Sequence, residues 1–192
     1  MYALARMGGQ AGAFAPDTLI GHWLRQQPVI IKSGKTVITH GGVSPTVADS
    51  GLTVSTLNSA MRRYWSGDMP GKGELDAVVG PAGVTQYRGY LMDGEDRYAA
   101  ATTSQVGDVL AHFGARRIVV GHTLVDGVTA LHQDKVWAMD VNSNTARPEA
   151  LMIRNGEPLV VAAGASRQLD EHKAGRRRPV LSACLPAKTW QC

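Results

Sequence analysis

The 192 residues suit one domain of ordinary size, and 44% apolar against 19% charged residues excludes a chain that stays unfolded for want of a core. The 22 Gly against 2 Phe point to a fold rich in turns rather than a helical bundle. The net charge of +4 lies wholly at the C-terminal end, where Arg167, Lys173, Arg176, Arg177, Arg178 and Lys188 face only Asp170 and Glu171; with no aromatic stacking platform or recognition helix beside it, this end reads as a solvated, disordered tail rather than a nucleic-acid or membrane surface.

In chain order, residues 1–15 are rich in Gly and Ala and weakly patterned. Asp17 is placed to cap a helix through Leu19, Ile20, Trp23 and Leu24, ended by Gln26-Gln27-Pro28. Val29–Ile31 and Thr36–Thr39 flank Ser33-Gly34 as a hairpin, and the second strand runs directly into His40-Gly41-Gly42. Residues 50–80 form a helical excursion, with Val54, Leu57, Met61 and Tyr64-Trp65 at helical intervals and a loop from Ser66 to Gly73. Gly80-Pro81 and Gly83 mark a further loop ahead of Gln86-Tyr87-Arg88-Gly89-Tyr90. Thr102-Thr103 opens the clearest helix, with Val106, Val109, Leu110 and Phe113 on its apolar face and Gly114 at its end. Ile118–Val120 follows as a buried strand and stops at Gly121-His122-Thr123, an α/β unit with a polar residue at the carboxyl end of the strand, where such sheets place ligands. Val128–Leu131 and Val136–Val141 flank the turn His132–Lys135; Leu151–Ile153 and Leu159–Val161 flank Asn155-Gly156, a strong hairpin signal. Beyond about Gly164 the pattern dissolves, and the two cysteines there, Cys184 and Cys192, have no zinc spacing. No signal-peptide pattern stands at Met1, and no apolar run approaches the roughly 20 residues of a membrane helix.

His40 and His122 share one setting, each at the end of a strand and beside glycine. A strand end holds a side chain rigidly, glycine lets backbone come close to an ion, and imidazole is a common ligand of zinc, iron and similar ions. Each histidine alone could equally hydrogen-bond a loop.

Thr39-His40-Gly41-Gly42-Val43-Ser44-Pro45 resembles the HGG(I/L)SP motif of the phosphoprotein phosphatase branch of the calcineurin-like metallophosphoesterases. Gly121-His122, followed by Asp126-Gly127, resembles that branch's later (G/A)H motif, and Tyr87-Arg88-Gly89-Tyr90 its Arg-Gly motif. The order and rough spacing agree, and the likeness, which covers about residues 15–162, is to bacterial phosphatases of this branch, the Shewanella-like type included. The resemblance implies a two-sheet β-sandwich flanked by helices, in the α/β (α+β) class, with residues 1–165 as the C-terminal portion of the domain and 166–192 as the tail. It implies that His40 and His122 ligate one metal of a two-metal centre (Mn, Fe or Zn), and that Arg88 binds the phosphate of a phosphorylated substrate. Phosphomonoesters, phosphoproteins included, are hydrolysed in such centres by a metal-bound hydroxide.

The departures from the pattern are equally specific. The family's GDxHG, GDxxDRG and GNHE motifs, which supply the remaining ligands, are absent; GNHE would lie shortly before Met1, so the chain is expected to begin just after it. Asp126, Asp140 and His132 read as loop and turn residues rather than replacement ligands. Two imidazoles hold a divalent ion weakly at most, since a catalytic zinc site usually has three protein ligands. The alternative to a hydrolase is therefore a catalytically incompetent remnant of the fold, marginally stable or self-associating through an exposed sheet edge. A Ser44 nucleophile is discounted, because no G-x-S-x-G surrounds it.

Overall fold

The computed structural model describes residues 9–142, 148–162 and 165–166. The expected basic tail thus lies outside the described residues. After a short helix α1 (Gly9–Ala13), α2 (Leu19–Gln26) is capped by Thr18 rather than Asp17. The Thr18 hydroxyl accepts the Gly21 amide at 3.0 Å and so satisfies one of the free donors of the first turn. Strands β1 (Ile30–Ser33) and β2 (Thr36–Thr39) form the expected hairpin. Ser33 pairs with Thr36, so Gly34 and Lys35 make the turn, with Gly34 at φ 56°.

The excursion between β2 and β3 contains four helices: α3 (Pro45–Asp49), α4 (Val54–Trp65), α5 (Lys72–Val79) and α6 (Thr103–His112). Caps explain where two of them start. Thr53 and Thr102 each exchange bonds with the residue three positions on, Thr56 and Gln105. Beyond α6, β3 (Arg117–Val120), β4 (Thr129–Leu131) and β5 (Val136–Ala138) complete a five-stranded mixed sheet in the order β1-β2-β3-β5-β4. The strand expected through Val141 ends at Ala138, and Val141 makes only an isolated bridge to Val125.

The sheet's register sorts its residues into two faces, because side chains alternate along each strand. Ile30, Val37, Ile118, Val120, Val136 and Ala138 fall on one face and join Leu57, Met61, Val78, Val106 and Val109 of the helices in the main core. On the far face Ile31, Ile38, Val119 and Trp137 stand side by side in register. The architecture is a mixed α/β fold, with helices flanking the larger sheet.

A second sheet has the order β6-β7-β8, built from β6 (Glu149–Arg154), β7 (Glu157–Ala162) and β8 (Ala165–Ser166). Asn155-Gly156, at φ 54° and 84°, makes the tight turn its sequence signals. The buried Arg117, on the far face of β3, donates to the Gly156 carbonyl and pairs with Glu157 at 3.7 Å, tying the two sheets together. β8 extends the pattern slightly beyond the point where the sequence loses it.

Candidate functional site

The site forms where β2 and β3 end. These strands are parallel neighbours, with Thr39 opposite Val120, so the residues that follow them emerge side by side. The Gly121 amide donates to the His40 carbonyl at 2.9 Å, locking the two strand ends together. His122 then adopts φ 64°, a left-handed conformation uncommon outside glycine. The result brings the two imidazoles edge to face. Their ring centroids are 4.6 Å apart at 63°, and His40 Nε2 stands 2.9 Å from His122 Nδ1.

Arg88 follows a loop tied to the same strand end. Thr39 Oγ1 donates to the Val84 carbonyl, which also accepts the Gly41 and Gly42 amides, so the loop before Arg88 is bound to the strand end that carries His40. The fit is close: a Cβ on Gly41 would stand 2.9 Å from backbone atoms of Thr85, Gln86 and Tyr87. Tyr87 and Tyr90, on either side of Arg88-Gly89, are buried and pack edge to face at 5.4 Å. Tyr90 Oη donates to the Val43 carbonyl, and Gly89 leaves room for the Tyr87 ring, which any Cβ there would strike. Arg88 also lines a cleft of about 250 Å³ with Val79, Pro81, Gln86, Arg97 and Tyr98.

The Arg88 charge is felt by His122. His122 is held below its ordinary pKa by burial first, then by the Arg88 charge and by His40, with Asp140 pulling the other way. A neutral imidazole is the form that ligates metal and shares a proton. Among the described residues, the buried side-chain nitrogens without a hydrogen-bond partner are Arg88 Nε and His122 Nε2, both at this site. Buried polar groups are normally paired, so these two nitrogens keep bonding capacity for a polar partner.

Two nitrogens bound at about 2.1 Å to one tetrahedral ion stand roughly 3.4 Å apart. His40 Nε2 and His122 Nδ1, 2.9 Å apart, stand at hydrogen-bond distance and would have to part slightly to share such an ion. Among the described residues, however, no group of three or more His, Cys, Asp and Glu gathers to hold a metal. Of the residues weighed as replacement ligands, His132 is engaged by Thr103 and Tyr90, and Asp140 acts on His122 only through its charge. Ser44 caps α3, accepting the Val47 amide at 3.2 Å.

Comparison with known proteins bears on the fold. Solved structures of the cold-active protein tyrosine phosphatase of a psychrophilic Shewanella share the fold. Two of them give TM-scores of 0.66 at 28% identity, and a point mutant of the enzyme gives 0.65. Each match covers 83% of this chain but only 47–48% of the phosphatase, so the chain spans about half the length of the structures it resembles. The chain has a phosphatase-like α/β fold. No family model and no curated protein matches it.

Tyr87 and Tyr90, whose rings pack together beside Arg88-Gly89, carry no periodicity in the sequence, where only the central Arg-Gly pair stands out.

Proposed function

We propose that this chain carries part of the site of a metal-dependent phosphomonoesterase of the calcineurin-like type, phosphoprotein phosphatase branch. The observation that carries this reading is the meeting of the His40 and His122 imidazoles at 2.9 Å, with the loop before Arg88 bound to the strand end that carries His40. His40 and His122 would hold one divalent ion, and a bound ion of this kind supplies Lewis acidity and an activated water nucleophile. Arg88 would fork onto two phosphate oxygens and neutralise their charge. The tightly packed Tyr87–Tyr90 segment fixes the backbone from which Arg88 extends, so less ordering entropy is lost on binding. The neighbours' name adds protein phosphotyrosine to the phosphomonoesters worth assaying.

A second reading concerns the chain by itself. Because no third ligand joins the two imidazoles among the described residues, the chain alone holds metal weakly and turns over little or no substrate. One experiment separates the two readings. The purified chain is assayed with p-nitrophenyl phosphate across a series of Mn²⁺ concentrations, beside His40→Ala and His122→Ala. Metal-dependent turnover abolished in both variants supports the enzyme. Absence of turnover at every metal concentration supports the incompetent reading. Turnover that survives both substitutions refutes the histidine pair as its site.

A further inference from the structure

We propose that His132 is a positioning residue for Arg88, holding the Arg88–Tyr90 loop against the loop that follows His40; this rests on the reading of Arg88 as the phosphate-binding group. The evidence begins in the β4–β5 turn. His132, Gln133 and Asp134 stand at φ 51°, 60° and 62°, three consecutive non-glycine residues in left-handed conformation. Tight turns that need this backbone ordinarily use Gly or Asn; His and Asp tolerate it, and Gln has no such advantage. The turn is held by its surroundings. Leu131 pairs with Val136 across its base, and Trp137 Nε1 donates to the Asp134 carbonyl at 2.9 Å.

The turn directs the His132 ring back over the fold. Its Nδ1 lies 3.2 Å from Thr103 Oγ1 at the start of α6, and its Nε2 lies 3.2 Å from the Tyr90 carbonyl. A carbonyl only accepts, so Nε2 carries the proton, and in the neutral ring Nδ1 accepts from the threonine hydroxyl. The ring also meets the Tyr90 ring edge to face at 6.0 Å. Tyr90 in turn donates to the Val43 carbonyl, three residues beyond His40. Thr103, His132, Tyr90 and Val43 form one hydrogen-bonded ladder, and Arg88 sits two residues before its third rung. Removing the imidazole leaves the carbonyl of the buried Tyr90 without this donor and removes one of the ties on the loop that carries Arg88.

The test is binding of inorganic phosphate to the full chain by titration calorimetry, well below the melting temperature. Arg88→Ala should abolish binding. His132→Ala should weaken it about tenfold, the scale of a small misplacement of a binding group. His132→Gln, whose amide can donate to Tyr90 while its oxygen accepts from Thr103, should recover most of the loss. Combined with Arg88→Ala, His132→Ala should remove nothing further from any residual binding. If His132→Ala fails to fold, Thr103→Ala and His132→Gln carry the comparison, with a few-fold loss expected for the former. Wild-type affinity in His132→Ala or Thr103→Ala, while Arg88→Ala loses binding, overturns the inference and leaves Arg88 standing. An equal loss with and without Arg88 overturns it too. Wild-type affinity in Arg88→Ala overturns the phosphate reading itself, and this inference with it.

Discussion

At the scale of single residues, the site is made by close backbone approach, and glycine is required where that approach is closest. Gly41 faces three backbone atoms at 2.9 Å, none of which can rotate away. Gly41→Ala should cost about 2–3 kcal/mol, a fall in Tm of about 5–10 °C, read by thermal unfolding. At Gly73, inside α5, an added Cβ would meet nothing within 4 Å, so Gly73→Ala should be neutral or slightly stabilising in the same measurement. Tyr87 offers a pH test. Burial, and then Tyr98 and Asp93, raise its pKa to about 12 from the usual 10. A raised tyrosine pKa means the folded state favours the neutral phenol. The associated stability is complete below about pH 10 and is lost as pH rises from about 10 to 12. Tyr90 is raised in the same direction, again by burial first. Stability against urea should therefore fall on going from pH 9 to pH 11.5, and fall less steeply in Tyr87→Phe. Equal slopes in the two proteins would rule out this assignment.

At the scale of elements, the edge of the larger sheet is better guarded than its sequence suggests. β1 is an outer strand, but Asn58 of α4 reaches its backbone: its Oδ1 accepts the Val29 and Ile30 amides at 2.8 and 3.2 Å, and its Nδ2 donates to the Ile30 carbonyl at 2.8 Å. One buried side-chain amide thus does for Ile30 what a further strand would do, and it leaves less of β1 available for pairing. Asn58→Ala should destabilise the chain by about 2–3 kcal/mol, since it leaves buried backbone groups unsatisfied. It should also bring out the self-association that an open edge implies, seen as a concentration-dependent shift in size-exclusion chromatography. A variant that is both as stable and as monodisperse as the parent would show that Asn58 guards nothing. Asn58 was not legible in the sequence, because on a helix facing Leu57 and Met61 it reads as one more polar residue.

At the scale of the whole molecule, the far face of the sheet is unevenly covered. Val119 and Trp137 are buried, but Ile31 and Ile38, in register with them, are 44% and 38% exposed. Among the described residues, no group of three or more His, Cys, Asp and Glu gathers around the histidine pair. Titration with Mn²⁺ should accordingly show weak binding that diminishes in both His40→Ala and His122→Ala. Tight binding unaffected by either substitution would place the metal elsewhere.

Much of this molecule is written locally. The helix of Val106 and Val109, the buried strand before Gly121, the Asn155-Gly156 turn and the two strand-end histidines follow from periodicity, caps and turn chemistry, which act over a few residues. Only the tertiary structure decided that the histidines, 82 positions apart, share a hydrogen-bond distance, because that depends on β2 and β3 lying parallel and in register. It decided the Tyr90–His132 ladder and the Asn58 cap for the same reason. A hydrogen bond between distant residues leaves no period in the sequence, and its partners are chosen by the packing of elements that are each specified separately.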